Sequence, residues 1–486
     1  MSAHLIPSQR QLLLSFDKKV SVYELKEKHG LSGNLAYAIA AQLSMFVSSV
    51  LMSLVVPKVL GVAEYGYWQL FILYSGYSGM FLLGMNDGLY LRIGGARIAE
   101  VNFSDIKAEY IASIAFEFIL LVTGLSVIVP LTPDSSRVVV IVLSAVYAVV
   151  FSASTILSYL FQATNLVHIY STSVLISRIA YVASLLGLLV IRPGYFTVYI
   201  IFYLLSQVIA LGYCLFCAQS ILACRSSGWR TGLRFAGIDI RSGIKVMVSY
   251  YAGTLIIGLC RMMIDAKWGI EAFGVYSFST SLVSFALAFI GQVSLVLFPA
   301  IKRMDRAKSR ESFKKIRQGI YFILPLVYVL YFPLCFVLDM WLPQYQTSLH
   351  YLALMLPICV FDCKMSMLCN TYFKALRLEG MMLVINVGSM LVSVVLSVLA
   401  VFVLGSANLA ALAMVVAIIV RSVAAELFLQ GKMDIHQGYL LVCEVALAAC
   451  FIVSSFVFQS WIQVLVEVLV FYGVSFIIRF WGIRHE

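Results

Sequence analysis

Four basic residues, Arg178, Arg261, Lys364 and Arg421, stand inside apolar runs long enough to cross a bilayer. A charge at mid-membrane costs about 2.5–3.5 kcal/mol on insertion scales, so each must face protein or a water-filled cavity. The chemistry they offer is anion binding. An arginine fork donates two hydrogen bonds to one phosphate, and a lysine acts as a point charge. Together the four define a candidate cationic cavity. Local pairing is the alternative for Arg261, which lies near the outer end of its span with Asp265 four residues on. Arg421 has Glu426 five residues away, a spacing that aims the two apart on a helix.

The acids suggest a second kind of chemistry. Asp87 closes an apolar run in "GMNDGLYLR", with Arg92 just beyond, and the two are candidates for a gate contact at the cytoplasmic mouth. Asp87, Glu117 and Asp362 are candidates for taking up a proton or Na⁺, and Asp265 is a further gate or coupling candidate. Asp362 and Lys364 are two apart and point to nearly opposite sides of a helix. Glu444 and Glu467 fall near the membrane faces, where headgroup-level snorkelling is expected. Asn386, Ser389, Ser393 and Ser397 share one helical face, which suits close helix packing or a sugar-facing stripe.

Enzymatic and metal chemistry find no support. No nucleophile–base constellation is present, so no catalytic residue is assigned. The six histidines are scattered. The pairs Cys214/Cys217 and Cys359/Cys363 lie in apolar segments, where cysteine serves as a small hydrophobe.

These residues must be positioned by membrane helices. Of the 486 residues, 62% are apolar and 12% charged, about half the charged share of an ordinary soluble domain. Apolar runs of the length needed to cross a bilayer core predict about 14 transmembrane helices. Lysine and arginine crowd 1–33, 88–107, 223–245 and 300–317, whereas the alternate segments hold single residues: Lys58, Arg137, Arg192 and Lys267. The positive-inside rule then places the N-terminus in the cytoplasm. The net charge of +11 is mainly this topology signal, not a nucleic-acid footprint. The expected organisation is a cytoplasmic segment 1–33, a six-helix bundle 34–222, a cytoplasmic linker 223–243, a second six-helix bundle 244–428 and a C-terminal helix pair 439–480.

A short phrase supports duplication. "VLGVAEYGYW" and "KWGIEAFGVY" place Gly61 and Gly269 208 residues apart, and Gly66 and Gly274 likewise. A P-loop would require Lys and Ser or Thr after the second glycine, and neither copy has them. Each copy lies in an outside turn, between the first and second predicted spans and between the seventh and eighth. Six spans separate them, an even number, which is the signature of a parallel internal repeat.

"VVPKVLGVAEYGYWQLF", "LLGMNDGLYLRIGG", "GIEAFGVYSFSTSL" and "LVLFPAIKR" together resemble the polysaccharide transporters of the multidrug/oligosaccharidyl-lipid/polysaccharide exporter superfamily. The resemblance is closest to the oligosaccharide flippases often called Wzx, and runs from about Asn34 to about residue 430. One feature departs from it: Cys260 precedes Arg261 where the family often has Asp, and the acid comes at Asp265.

The resemblance implies an all-α polytopic membrane protein of two rocking bundles. It implies a polyprenyl-diphosphate-linked oligosaccharide as substrate, a surface polysaccharide repeat unit moved to the outer leaflet of a bacterial cytoplasmic (inner) membrane. No cofactor is expected beyond a coupling H⁺ or Na⁺. The implied partners are membrane lipid and a polysaccharide polymerase with its chain-length machinery. A drug/cation antiporter of the same superfamily is one alternative, but the first span, 34–56, carries no charged residue. A membrane polymerase or ligase is another, but no outside segment is long enough for the large external loop typical of such enzymes.

Overall fold

The computed structural model describes residues 43–96, 98–302, 306–435, 437–457, 462 and 465–473. The segment 1–33 and parts of the first and last predicted spans lie outside the described residues. Every regular element among those described is helical. In order they are α1 (Leu43–Val59), α2 (Val62–Gly76), α3 (Met85–Ile93), α4 (Phe103–Leu131), α5 (Ser135–Ala163), α6 (Val167–Ile191), α7 (Phe196–Cys217) and α8 (Trp229–Lys302). Then come α9 (Arg306–Ile323), α10 (Gln346–Met355), α11 (Pro357–Lys364), α12 (Glu379–Val398), α13 (Ala407–Met433) and α14 (Gly438–Val457).

Nine of the described helices are long and apolar enough to cross a membrane, or ten if the pair bent by 45° at Leu356 counts as one span. This is the expected all-α polytopic membrane protein, with two local differences from the hydropathy reading. The second span is broken at Leu83 and Gly84, where the backbone is left-handed. The seventh and eighth lie in α8, joined through Gly269 at φ 82° and ψ −174°. That φ strains any residue with a Cβ, which accounts for the glycine in the repeated phrase.

The chain divides into two compact units. Unit 1 is Met1–Met52 with Tyr67–Tyr251; unit 2 is Ser53–Gly66 with Ala252–Glu486. Residues 53–66, which the hydropathy reading assigns to the first bundle, pack within unit 2. Lys58 donates to the Trp341 carbonyl at 2.5 Å, the Trp341 indole to the Leu54 carbonyl at 2.9 Å, and Gln344 to the Pro57 carbonyl at 3.0 Å. The linker assignment also changes. From Trp229 onward it is the start of α8, whose residues up to Tyr251 belong to unit 1 and the rest to unit 2.

The two glycine phrases meet inside unit 2. A Cβ on Gly66 would collide with the Ile270 carbonyl, and one on Gly274 would lie 2.8 Å from the Val62 carbonyl. Val62 and Ile270 are themselves 208 residues apart, so each glycine faces the repeat equivalent of its partner's carbonyl. That reciprocal contact is what a two-fold-related duplication produces.

Local chemistry sets the helix starts. The Asn102 side chain accepts from the Ser104 amide at 3.1 Å to begin α4, and Asp134 accepts from the Ser136 amide at 2.9 Å to begin α5. Burial then separates the helices. Only 11% of the apolar window of α4 is enclosed, against 56% for α13, so α4 faces lipid and α13 lies at the centre of unit 2.

Candidate functional site

The buried charges fall into paired and unpaired groups. In unit 1, α3 and α8 approach backbone to backbone. A Cβ on Gly88 would collide with the Asp239 carbonyl, and one on Gly243 with that of Gly84. This closeness brings Asp239 into the fork of Arg92, whose Nε and Nη2 each donate to it at 2.8 Å. Nη2 also donates to Glu109 on α4 at 2.5 Å, and the guanidinium lies 4.8 Å from the Phe235 ring centre.

Of the expected gate pair, Arg92 binds Asp239 and Glu109, and Asp87 lies near enough to Tyr159 and Tyr251 to act on both. A signal for part of this was available. Glu109, Ser113 and Glu117 fall at i, i+4 and i+8 on an otherwise apolar helix, one buried polar seam.

Glu117 is fully enclosed. The Ser152 hydroxyl on α5 donates to its Oε1 at 2.8 Å, and Oε2 has no partner among the described residues.

Arg178 on α6 is half-buried among phenols: it bonds to Tyr203 on α7 and lies close to Tyr147 on α5 and Tyr181 on its own helix. The rings form a nest, with Tyr181 and Tyr203 centred 4.9 Å apart, Tyr147 and Tyr203 5.4 Å, and Trp68 and Tyr203 5.9 Å. The Trp68 Nε1 and the hydroxyls of Tyr181 and Tyr199 are buried with no described partner. Ser154, Ser177 and Gln207 form a hydrogen-bonded polar group among the same helices. Arg178 makes no ion pair with a carboxylate among the described residues.

Unit 2 pairs its charges. Lys364 on α11 contacts Glu426 on α13 at 2.9 Å and Glu444 on α14 at 2.8 Å. Arg317 on α9 contacts the same two acids at 2.5 and 2.7 Å. Gln430 donates to Glu426 at 2.8 Å. All four charged side chains are essentially inaccessible, and two cations face two carboxylates, so the cluster is neutral.

This corrects the cavity assignment of Lys364: its charge is spent on Glu426 and Glu444. Glu444 is buried here, contrary to the snorkelling expectation, because its helix packs into unit 2 and carries the acid inward. Arg317, which sequence reading places in a basic loop, was missed.

Arg421 is likewise not free. It binds Asp362 and donates to the Gly253 carbonyl at 3.1 Å. As the spacing predicts, it does not pair with Glu426, nor Asp362 with Lys364. Arg261 donates to the Ser277 hydroxyl at 3.1 Å and lies 5.1 Å from the Phe273 ring centre, with Asp265 also buried.

The polar face of α12 packs. Asn386, Ser389, Ser393 and Ser397 are buried, and Ser393 donates to the Ile256 carbonyl of α8 at 3.2 Å. Among the described residues no group of three or more His, Cys, Asp or Glu could hold a metal ion.

No protein-family profile matches the chain, and no curated protein sequence matches it. Solved structures do. Lipid II flippase MurJ in an inward closed conformation aligns with a TM-score of 0.63 at 12% identity, over 91% of this chain and 98% of that one. The inward-facing conformation of a multidrug resistance MATE family transporter aligns with a TM-score of 0.54 at 13% identity, over 82% of this chain and 97% of that one. The second is described as a member of the MOP superfamily. The chain shares the fold of these two structures.

Proposed function

We propose that this protein is a flippase that moves a polyprenyl-diphosphate-linked oligosaccharide from the cytoplasmic to the outer leaflet of the bacterial inner membrane by alternating access. The observation that carries the proposal is Arg178. It is a guanidinium inside a membrane helix that bonds to Tyr203 and lies close to Tyr147 and Tyr181, with no ion pair to a carboxylate among the described residues. A phosphate supplies the missing charge and takes two parallel hydrogen bonds from the fork. The match to a structure described as a lipid II flippase, and the Wzx-like phrases of the sequence, favour the same substrate class.

Arg178 takes the role that the sequence reading spread over four cations. Arg261, Lys364 and Arg421 hold their own unit through Ser277, Glu426, Glu444 and Asp362. A cationic drug would be repelled by an uncompensated arginine, which weighs against a drug antiporter. The product, delivered outside as an activated lipid-linked repeat unit, suits a polysaccharide polymerase.

The test is leaflet transfer of a lipid-linked oligosaccharide by the purified protein in vesicles, with no glycosyl donor or acceptor. Wild type transfers; Arg178→Gln loses at least about tenfold in rate, the effect of roughly 1.4 kcal/mol in binding the charged headgroup. Transfer at the wild-type rate by Arg178→Gln, or none by wild type, overturns the reading.

A further inference from the structure

Glu117 has no place in the site just described, yet its surroundings are unlike those of the other buried acids. Glu109 holds Arg92, and Glu426 and Glu444 hold Arg317 and Lys364. Glu117 holds no cation among the described residues. It is 0% exposed, and among the described residues its one polar contact is the Ser152 hydroxyl and Oε2 is unpartnered. We propose that Glu117 is a proton-binding site: it carries its proton while α4 and α5 are closed around it, and gives it up only when they part.

An isolated carboxylate in an apolar enclosure is far more costly than an isolated polar group, so the side chain neutralises by keeping a proton. The orphaned Oε2 costs only about 1–3 kcal/mol when it belongs to a neutral acid. The titratable groups on the elements packed against this point act elsewhere. On α3, Arg92 is committed to Asp239 and Glu109, and Asp87 acts on Tyr159 and Tyr251. On α5, Tyr147 faces Tyr203 and Arg178, and Tyr159 faces Asp87 and Tyr170. On α4 itself, Tyr110 faces Cys214. Among the described residues, Ser152 is the one side chain that acts on Glu117.

A sodium ion is a poorer occupant. Hard cations gather about six oxygens, and the described surroundings offer one carboxyl and one hydroxyl. The proton balance is simple: on opening, the O–H bond breaks heterolytically, the proton passes to water, and water hydrates the carboxylate. The exit is local, because the Ser152 contact joins two neighbouring helices of one unit. Use of this proton to drive transport would rest on the flippase reading; the site itself does not.

The test is infrared spectroscopy of the full-length protein at neutral pH, with thermal unfolding followed across pH. Wild type shows the carbonyl band of a protonated carboxylic acid, and Glu117→Gln loses it. A proton held by the folded state and released on unfolding makes stability fall as pH rises above the ordinary carboxylate range. Glu117→Gln, which mimics the neutral acid, flattens that slope. If Glu117→Gln does not fold, Ser152→Ala serves instead: removal of the hydroxyl donor must shift the band. A band that survives Glu117→Gln, a slope it leaves unchanged, or a band unmoved by Ser152→Ala overturns the proposal. None of these measurements involves a transported molecule, so this idea and the flippase reading fail separately.

Discussion

Unit 2 cancels the charges of its central cluster, whereas unit 1 pairs Arg92 with Asp239 and Glu109 but leaves two other ionisable side chains without an ion pair among the described residues. In unit 2, Arg317, Lys364, Glu426 and Glu444 come from four helices and cancel one another with none of them reaching solvent. In unit 1, Arg178 and Glu117 are left beside phenols and a hydroxyl. Intramembrane charge is therefore not a sufficient mark of function. A cation that already has its carboxylate is a strut, whereas one without it has binding energy left for a ligand.

The largest expected effect breaks the strut. Lys364→Met leaves Glu426 and Glu444 to share Arg317 alone, an uncompensated buried charge that costs about 3–5 kcal/mol. Thermal unfolding in detergent measures it. Adding Glu444→Gln restores neutrality and recovers most of the loss; an additive double variant would show that the four residues do not act as a unit.

The next effect sharpens the role of the repeat in unit 2. Gly66→Ala and Gly274→Ala each force a methyl against the carbonyl of the other copy, for about 1–3 kcal/mol apiece. Gly66→Ala is the costlier, because the Ile270 carbonyl is nearer to it than the Val62 carbonyl is to Gly274. Equal tolerance at both positions would remove the close approach as the reason for the repeated glycines.

The smallest stability effect separates the two units. Arg178→Gln breaks no ion pair and is expected to cost less than about 1 kcal/mol, even as leaflet transfer falls. If it unfolds the protein as Lys364→Met does, Arg178 is a structural charge like those of unit 2.

Much of this arrangement was legible along the chain. Hydropathy located the spans, and the 208-residue interval located two phrases that prove to touch. Helical spacing also separated Asp362 from Lys364 and Arg421 from Glu426, since both are local geometry. The ion pairs themselves were not legible. Arg317 meets Glu426 across 109 residues and Glu444 across 127, and Lys364 meets Glu444 across 80. Arg317 stands in a run of basic residues that reads as a loop, yet it shares one buried stripe of α9 with Ser309, Phe313 and Ile320. Asp239 lies within the segment 223–243, which reads as a cytoplasmic linker, yet Gly84, Gly88 and Gly243 draw α8 against α3.

By itself, the sequence determined that this chain folds in lipid as a duplicated set of helices, because apolar length and repeated phrases are properties of contiguous residues. Which buried charges were neutralised and which kept their charge for chemistry was decided only when distant helices packed. Coulombic partners are chosen by distance in space, and no spacing along the chain records that distance.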